Sequence, residues 1–205
     1  MDEKTSRLVC FLTEIALVQA LDQMAKFYDA LNDKLKAFIE AQQMFFVATA
    51  PQDGRINISP KGMDTLRIFD ERKVGYLDLT GSGAETAAHL LENGRLTIMF
   101  CSFTEESKIL RLYGRGRVVR PGEPDWDRLH GRFGATPGER QIIMLDVDSL
   151  QTSCGFGVPL YEYQGQRPML AQWTQNKGRA GIERYWRERN HVSIDGLPTG
   201  LGETE

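Results

Sequence analysis

Cysteine is scarce in these 205 residues: Cys10, Cys101 and Cys154 are far apart and odd in number. That argues against a disulfide framework and against a cysteine zinc motif, and favours reduced thiols in a cytoplasmic protein. Histidine is equally scarce, and His89, His130 and His191 show no metal-ligand spacing. Long apolar runs are missing too. Residues 8–21 (LVCFLTEIALVQAL) are too short to span a bilayer, and Thr13, Glu14 and Gln19 interrupt them. Glu14 also spoils the run as a signal peptide, so no membrane association is expected. There is no excess of positive charge. A formal net charge of -3 argues against a nucleic-acid binder, yet leaves room for a few local donors to hold one phosphate. Internal repeats and low-complexity tracts are absent.

What is present is an ordinary globular composition, 41% hydrophobic and 26% charged. Three divisions are expected: residues 1–23, an N-terminal extension; 24–150, a main domain; and 151–205, a C-terminal segment packing on that domain or on a partner. The first stretch reads either as a peripheral helix or as an extension ahead of a start at Met24.

From Met24 the apolar residues Phe27, Leu31, Leu35, Phe38 and Ile39 recur at helical spacing, which predicts an amphipathic helix ending near Gln42 or Gln43. Residues 44–50 (MFFVATA) and 55–59 (RINIS) flank the turn signal Pro51-Gln52-Asp53-Gly54 and read as a hairpin. Residues 66–69, 74–79, 96–103, 108–119 and 141–147 read as further strands. Gly114 and Gly116 mark a bend or bulge in the long fourth of these. Helices are predicted over 84–92, 124–133 and 179–189. Strands in hairpin order, with few helices between them, predict a small antiparallel barrel with peripheral helices rather than a doubly wound sheet.

Three segments carry candidate chemistry. In residues 76–93 (YLDLTGSGAETAAHLLEN) a strand leads through Thr80-Gly81-Ser82-Gly83 into a helix. Free backbone N–H groups at a helix start favour an anion, and Thr80, Ser82 and Thr86 offer hydroxyls. The plainer alternative is a strand-to-helix turn capped by Ser82. In residues 55–62 (RINISPKG), Lys61 stands beside Pro60 and Gly62, where it could meet a phosphate or a ring carbonyl or simply be solvated. In residues 108–119 (KILRLYGRGRVV), Arg111 faces away from the side of Leu110 and Leu112. Residues 152–159 (TSCGFGVP) read either as a loop that lays Phe156 against a neighbouring site or as a tight loop with a core Phe and a buried Cys. Trp173, Arg167 and Tyr163 are within reach of such a site, whereas Tyr185 and Trp186 read as packing for the last helix. Residues 193–198 read as an ordered tail turn.

The succession of a hairpin ending in SPKG, then TGSGAETAAHL, RLTIMF and ILRLYGRGRVV, resembles the pyridoxamine 5′-phosphate oxidase-like FMN-binding family over residues 38–150. The resemblance implies a mainly β fold: a six-stranded antiparallel Greek-key split barrel of FMN-binding type, forming a homodimer with FMN at the subunit interface. It implies that Asn57, Ile58, Ser59 and Lys61 line the flavin. Thr80, Gly81, Ser82, Gly83 and Thr86 would hold the ribityl phosphate, with Arg111 alongside. The chain departs from true pyridoxamine phosphate oxidases at the helix start, where Glu85 and Thr86 replace an Arg-Lys pair, and in lacking their C-terminal substrate segment.

An FMN-dependent oxidoreductase with a small-molecule or nicotinamide electron donor is therefore expected. Lys61 or Arg111 would stabilise the reduced anion, and no acid/base pair is evident. A non-enzymatic binder of flavin, deazaflavin or haem, and a cofactor-free scaffold, are the other open readings.

Overall fold

The computed structural model describes residues 25–202, so the extension expected over residues 1–23 lies outside the described residues. Eight strands form one antiparallel sheet. They are β1 (Lys26–Tyr28), β2 (Phe45–Thr49), β3 (Asn57–Lys61), β4 (Leu66–Asp70), β5 (Lys73–Leu79), β6 (Arg95–Cys101), β7 (Ile109–Val119) and β8 (Glu139–Ser153). The helices are α1 (Asp33–Glu40), α2 (Glu85–Glu92), α3 (Trp126–His130) and α4 (Met169–Tyr185), the last running into a π-helical turn at Trp186–Asn190.

Strand order is β3-β2-β6-β7-β8-β5-β4, with β1 also on β8. The long β8 makes this possible. Its first half pairs with β5 (Lys73 opposite Asp146), and its end pairs with β1 (Tyr28 opposite Leu150). β7 runs along its other edge from Ile142 to Ser153. The sheet curls into a half-barrel. Phe45 of β2 and Tyr76 of β5, four strands apart in the order, meet edge-to-face at 5.5 Å. Lys61 on the β3 edge reaches Asp78 of β5 at 3.2 Å across the seam.

Alternation along the strands divides the apolar residues between two faces. Inside the curl lie Val47, Val74, Tyr76, Ile98, Phe100, Leu110, Leu112, Ile143 and Leu145, closed at one end by Leu35, Phe38 and Ile39 of α1. The outer face of β5 and β8 packs Leu77, Ile142 and Met144 against Leu129 of α3. No helix of the described residues is long and apolar enough to cross a membrane.

All seven segments read as strands form strands, and the mainly β half-barrel agrees with the split-barrel expectation. The eighth strand, β1, was hidden in the helical spacing of Phe27 and Leu31. There the helix starts later, at Asp33. Asn32 caps it by accepting the Leu35 N–H at 3.0 Å, and the Leu31 N–H is already taken by Glu71 O. Phe27 is exposed. The helix predicted over 124–133 shortens to α3, with Asp125 at its N-cap and Gly131 at its C-cap. The one predicted over 179–189 is part of a longer run, interrupted at Gly178 with φ of 63°. Phe156 and Cys154 are both exposed, so residues 152–159 are not a loop built on a core Phe and a buried Cys. β8 ends at Ser153, and the chain leaves the sheet there.

The bulge expected at Gly114 is where the β7–β8 register shifts, between Tyr113 and Gly114. A Cβ at Gly114 would collide with the backbone carbonyl of Asp146. Gly114→Ala should therefore cost about 2–4 kcal/mol in urea unfolding, since backbone on two strands must move. Gly157→Ala, whose Cβ meets nothing within 4 Å, should be neutral. Equal stability of the two variants would contradict the register assignment.

Candidate functional site

Three chain segments far apart in sequence meet at one end of the half-barrel. β3 supplies Asn57, Ser59 and Lys61, and the strand-to-helix loop supplies Gly81, Ser82 and Gly83. The C-terminal segment supplies Arg189, Val192, Ser193 and Ile194. They surround a cleft of about 770 Å³. The floor is polar. The walls at the mouth are apolar, made by Ile56, Pro60, Val192 and Ile194.

Asp78 lies beneath this cleft, at 3% exposure. Burial alone would raise its pKa, but the Arg140 guanidinium beside it and then Lys61 overcome that and hold the carboxyl well below its ordinary value. Arg140 Nε donates to Asp78 Oδ2 at 2.7 Å, Gln141 Nε2 donates to the same oxygen at 2.9 Å, and Lys61 Nζ donates to Oδ1 at 3.2 Å. Arg140 then spends its other nitrogens elsewhere. Nη1 donates to Asn190 Oδ1 at 3.0 Å, and Nη2 to the Gly83 carbonyl at 2.9 Å. Asn190 in turn donates to the Gly81 carbonyl at 3.2 Å. A single buried carboxylate thus ties β5, β8, β3, the glycine loop and the C-terminal segment together.

The loop is also held from below. Thr80 is buried, its hydroxyl donating to Gly138 O at 2.8 Å and accepting from Trp186 Nε1 at 2.9 Å. Ser82 is not a cap. The residue ahead of α2 is Ala84, with no side-chain cap bond, and the backbone N–H groups of Ser82, Gly83 and Ala84 make no hydrogen bond within the described chain. A Cβ on Gly81 would project into open space, its nearest neighbour being Gly83 O at 3.9 Å.

A second polar chain runs from the cleft into the interior. Ser59 Oγ donates to Asn57 Oδ1, and Asn57 Nδ2 donates to both Thr86 Oγ1 and Thr49 Oγ1. Thr49 Oγ1 in turn shares a hydrogen bond with His89 Nδ1 at 2.9 Å. His89 Nε2 is buried with no partner among the described residues. Burial holds the His89 pKa below its ordinary value, although Glu85 and Glu92 pull the other way.

Of the ten residues expected to contact a cofactor, Asn57, Ser59, Lys61, Gly81, Ser82, Gly83 and Thr86 line the cleft together. Thr80 supports the loop from behind. Ile58 is absent from the lining and is 66% exposed. Arg111 stands elsewhere on the chain, opposite Met99 and Gln151, and donates to Ser153 Oγ at 3.1 Å. Asp78, Arg140, Trp186, Arg189 and Asn190 were not foreseen. Asp78 carried one signal, a charge inside the apolar run of β5. The others carried none: the side-chain hydrogen bonds of Arg140, Trp186 and Asn190 span 50 residues or more, and Arg189 has only its place in the cleft.

With this geometry in hand, the chain is similar to known proteins as follows. The pattern of the pyridoxamine 5′-phosphate oxidase family matches residues 31–154. A curated relative, the pyridoxamine 5′-phosphate oxidase family protein ustO of Aspergillus flavus, is 40% identical, over 85% of this chain and 78% of that one. Among solved structures, HupZ of Group A Streptococcus is 23% identical with a TM-score of 0.46, covering 58% of this chain and 91% of that one. A FAD-binding protein of Mesorhizobium loti is 12% identical with a TM-score of 0.45, covering 63% and 98%.

His89 gives a pH prediction. Its folded pKa is lowered, so the unfolded chain takes up a proton first as pH falls below about 6.5, while the folded chain refuses it. The stability His89 contributes is complete above that pH and declines below it, by at most about 1.4 kcal/mol per pH unit. Thermal unfolding between pH 7.5 and 5 should show a loss that His89→Gln reduces. An identical pH slope in the variant would rule out a buried neutral His89.

Proposed function

Because the chain belongs to the pyridoxamine 5′-phosphate oxidase family, we propose that it is a cytoplasmic flavoprotein that holds FMN in the cleft between β3 and α2. It works there as a homodimeric oxidoreductase. The observation that carries this reading is the convergence of Lys61, the free loop N–H groups of Ser82 to Ala84, and the apolar mouth of Ile56, Pro60, Val192 and Ile194 in one cleft. An anionic tail, a polar ring edge and a flat apolar ring each find a matching surface there.

The residues present suit the group. The loop N–H groups and Ser82 would hold its phosphate. Asn57 and Ser59 stand where ring-edge hydrogen bonds are needed. Lys61 would place a positive charge beside the ring, and Asp78 at 3.2 Å keeps that ammonium from swinging away into solvent. Bound there, FMN would supply two-electron transfer between a reduced small molecule or nicotinamide and an acceptor. The protein contributes binding, orientation and a fixed positive field. Haem is the weaker candidate, because no His, Cys, Met or Tyr, the usual axial ligands, lines this cleft.

Dimerisation is supported by apolar surface that the single chain leaves uncovered. Ile56 and Ile58 on the β3 edge are 75% and 66% exposed. On the adjoining face a second cleft of about 1010 Å³ is lined by Phe46, Phe103, Tyr161, Tyr163, Met169 and Leu170. A two-fold partner would bury both.

The test is direct. The purified protein should show a flavin absorbance spectrum, release FMN on denaturation, sediment as a dimer, and pass electrons from NADH or NADPH to a dye. Lys61→Ala should weaken FMN binding about tenfold, roughly the worth of one charge-assisted contact. A colourless protein that takes up no added FMN would overturn the flavin reading. A flavin that never cycles with any donor would leave a binding protein in its place.

A further inference from the structure

The C-terminal segment crosses the cleft at the glycine loop, and its bonds to that loop have a directional consequence. The carbonyl of Gly81 is taken by Asn190 at 3.2 Å, and that of Gly83 by Arg140 at 2.9 Å. Every peptide bond described is trans, so a carbonyl and the N–H that follows it point in opposite directions. Fixing these two carbonyls toward Asn190 and Arg140 therefore turns the N–H groups of Ser82 and Ala84 away from them. Both N–H groups have no partner among the described residues.

The residue beside Asn190 matters as much. Arg189 lines the same cleft, is exposed, and makes no hydrogen bond or ion pair with the described residues. The other cations there are already engaged: Arg55 with Asp195, and Lys61 and Arg140 with Asp78. Arg189 is held near the loop from both sides, since Trp186 bonds to Thr80 and Asn190 to Gly81. The start of α2 offers no cation of its own. Its first residue is Glu85, whose carboxylate accepts from the Ile194 N–H.

We propose that the C-terminal segment completes the phosphate site of this cleft: Arg189 contacts the phosphate monoester of the ligand, and Asn190 with Arg140 are positioning residues that aim the Ser82 and Ala84 N–H groups at it. This rests on the flavin reading above and assigns its anion recognition to a segment distant in sequence from the loop. A guanidinium suits a phosphate because its fixed fork of donors can meet two oxygens at once.

FMN and riboflavin differ only by that phosphate, so the ratio of their affinities isolates the proposed contacts. Flavin fluorescence quenching would give both dissociation constants for the full-length chain, Arg189→Ala, Arg189→Lys, Asn190→Ala and, as a control, Glu188→Ala. The unaltered protein should prefer FMN by about a hundredfold or more, the worth of one or two charge-assisted contacts. Arg189→Ala should lose about tenfold or more of FMN affinity and leave riboflavin unchanged, with Arg189→Lys recovering part. Asn190→Ala should also lower the ratio, whereas a purely structural role would weaken both flavins alike. Arg189 is exposed, so its removal does not endanger folding. An unchanged ratio in Arg189→Ala overturns the proposal. So does an unaltered protein that binds FMN and riboflavin equally, which leaves the flavin reading standing. A protein that binds neither removes the flavin reading, and this inference with it.

Discussion

A carboxylate buried in a protein must be matched by positive charge, and Asp78 imposes that condition on the rest of this molecule. The residue sits at the end of β5 on the interior face of the curl, where Val74 and Tyr76 precede it in phase. At 3% exposure it is largely removed from solvent, and Arg140 and Lys61 supply the compensating charge. Arg140 comes from the neighbouring strand β8, and Lys61 from the far edge of the sheet. The salt link therefore bridges the seam of the half-barrel and sets an ammonium at the cleft. Removing one partner would leave the others as uncompensated buried charge, which is why these contacts act as a unit rather than as separate bonds.

The same constraint explains how the glycine loop can be both open and ordered. A loop with free N–H groups has little to hold it. Here its carbonyls carry the restraint: Gly81 through Asn190, Gly83 through Arg140, and Thr80 beneath, between Gly138 and Trp186. The donors that face the cleft stay available because the acceptors are satisfied on the other side. Order in the loop thus depends on a segment more than 100 residues downstream, and the barrel and the C-terminal segment belong to one site.

Much of the barrel was legible in the sequence because strand alternation and turn chemistry are local. MFFVATA, the Pro51–Gly54 turn and RINIS gave the hairpin to within two residues, and Gly114 marked the bulge. β1 was misread because two apolar residues four apart satisfy a helix as well as chance does; the Asn32 cap and the pairing with β8 decided otherwise. The site was half legible. Residues on β3 and in the TGSG loop stood out as short motifs. Arg140, Trp186, Arg189 and Asn190 have ordinary neighbours in sequence, and their roles arise only from contacts made by folding. Ile58 shows the limit of reading a strand as a block, for it is left out of the cleft that its neighbours Asn57 and Ser59 line.

The central claim is that the TGSG loop and the C-terminal segment form one anion-holding unit around a flavin phosphate. Hydrogen exchange followed by mass spectrometry, with and without FMN, tests it most directly. Peptides covering residues 81–87 and 186–195 should both slow in exchange when FMN is added, with β3 alongside. Protection confined to the cleft around Tyr161 and Met169, with residues 81–87 unaffected, would contradict the account.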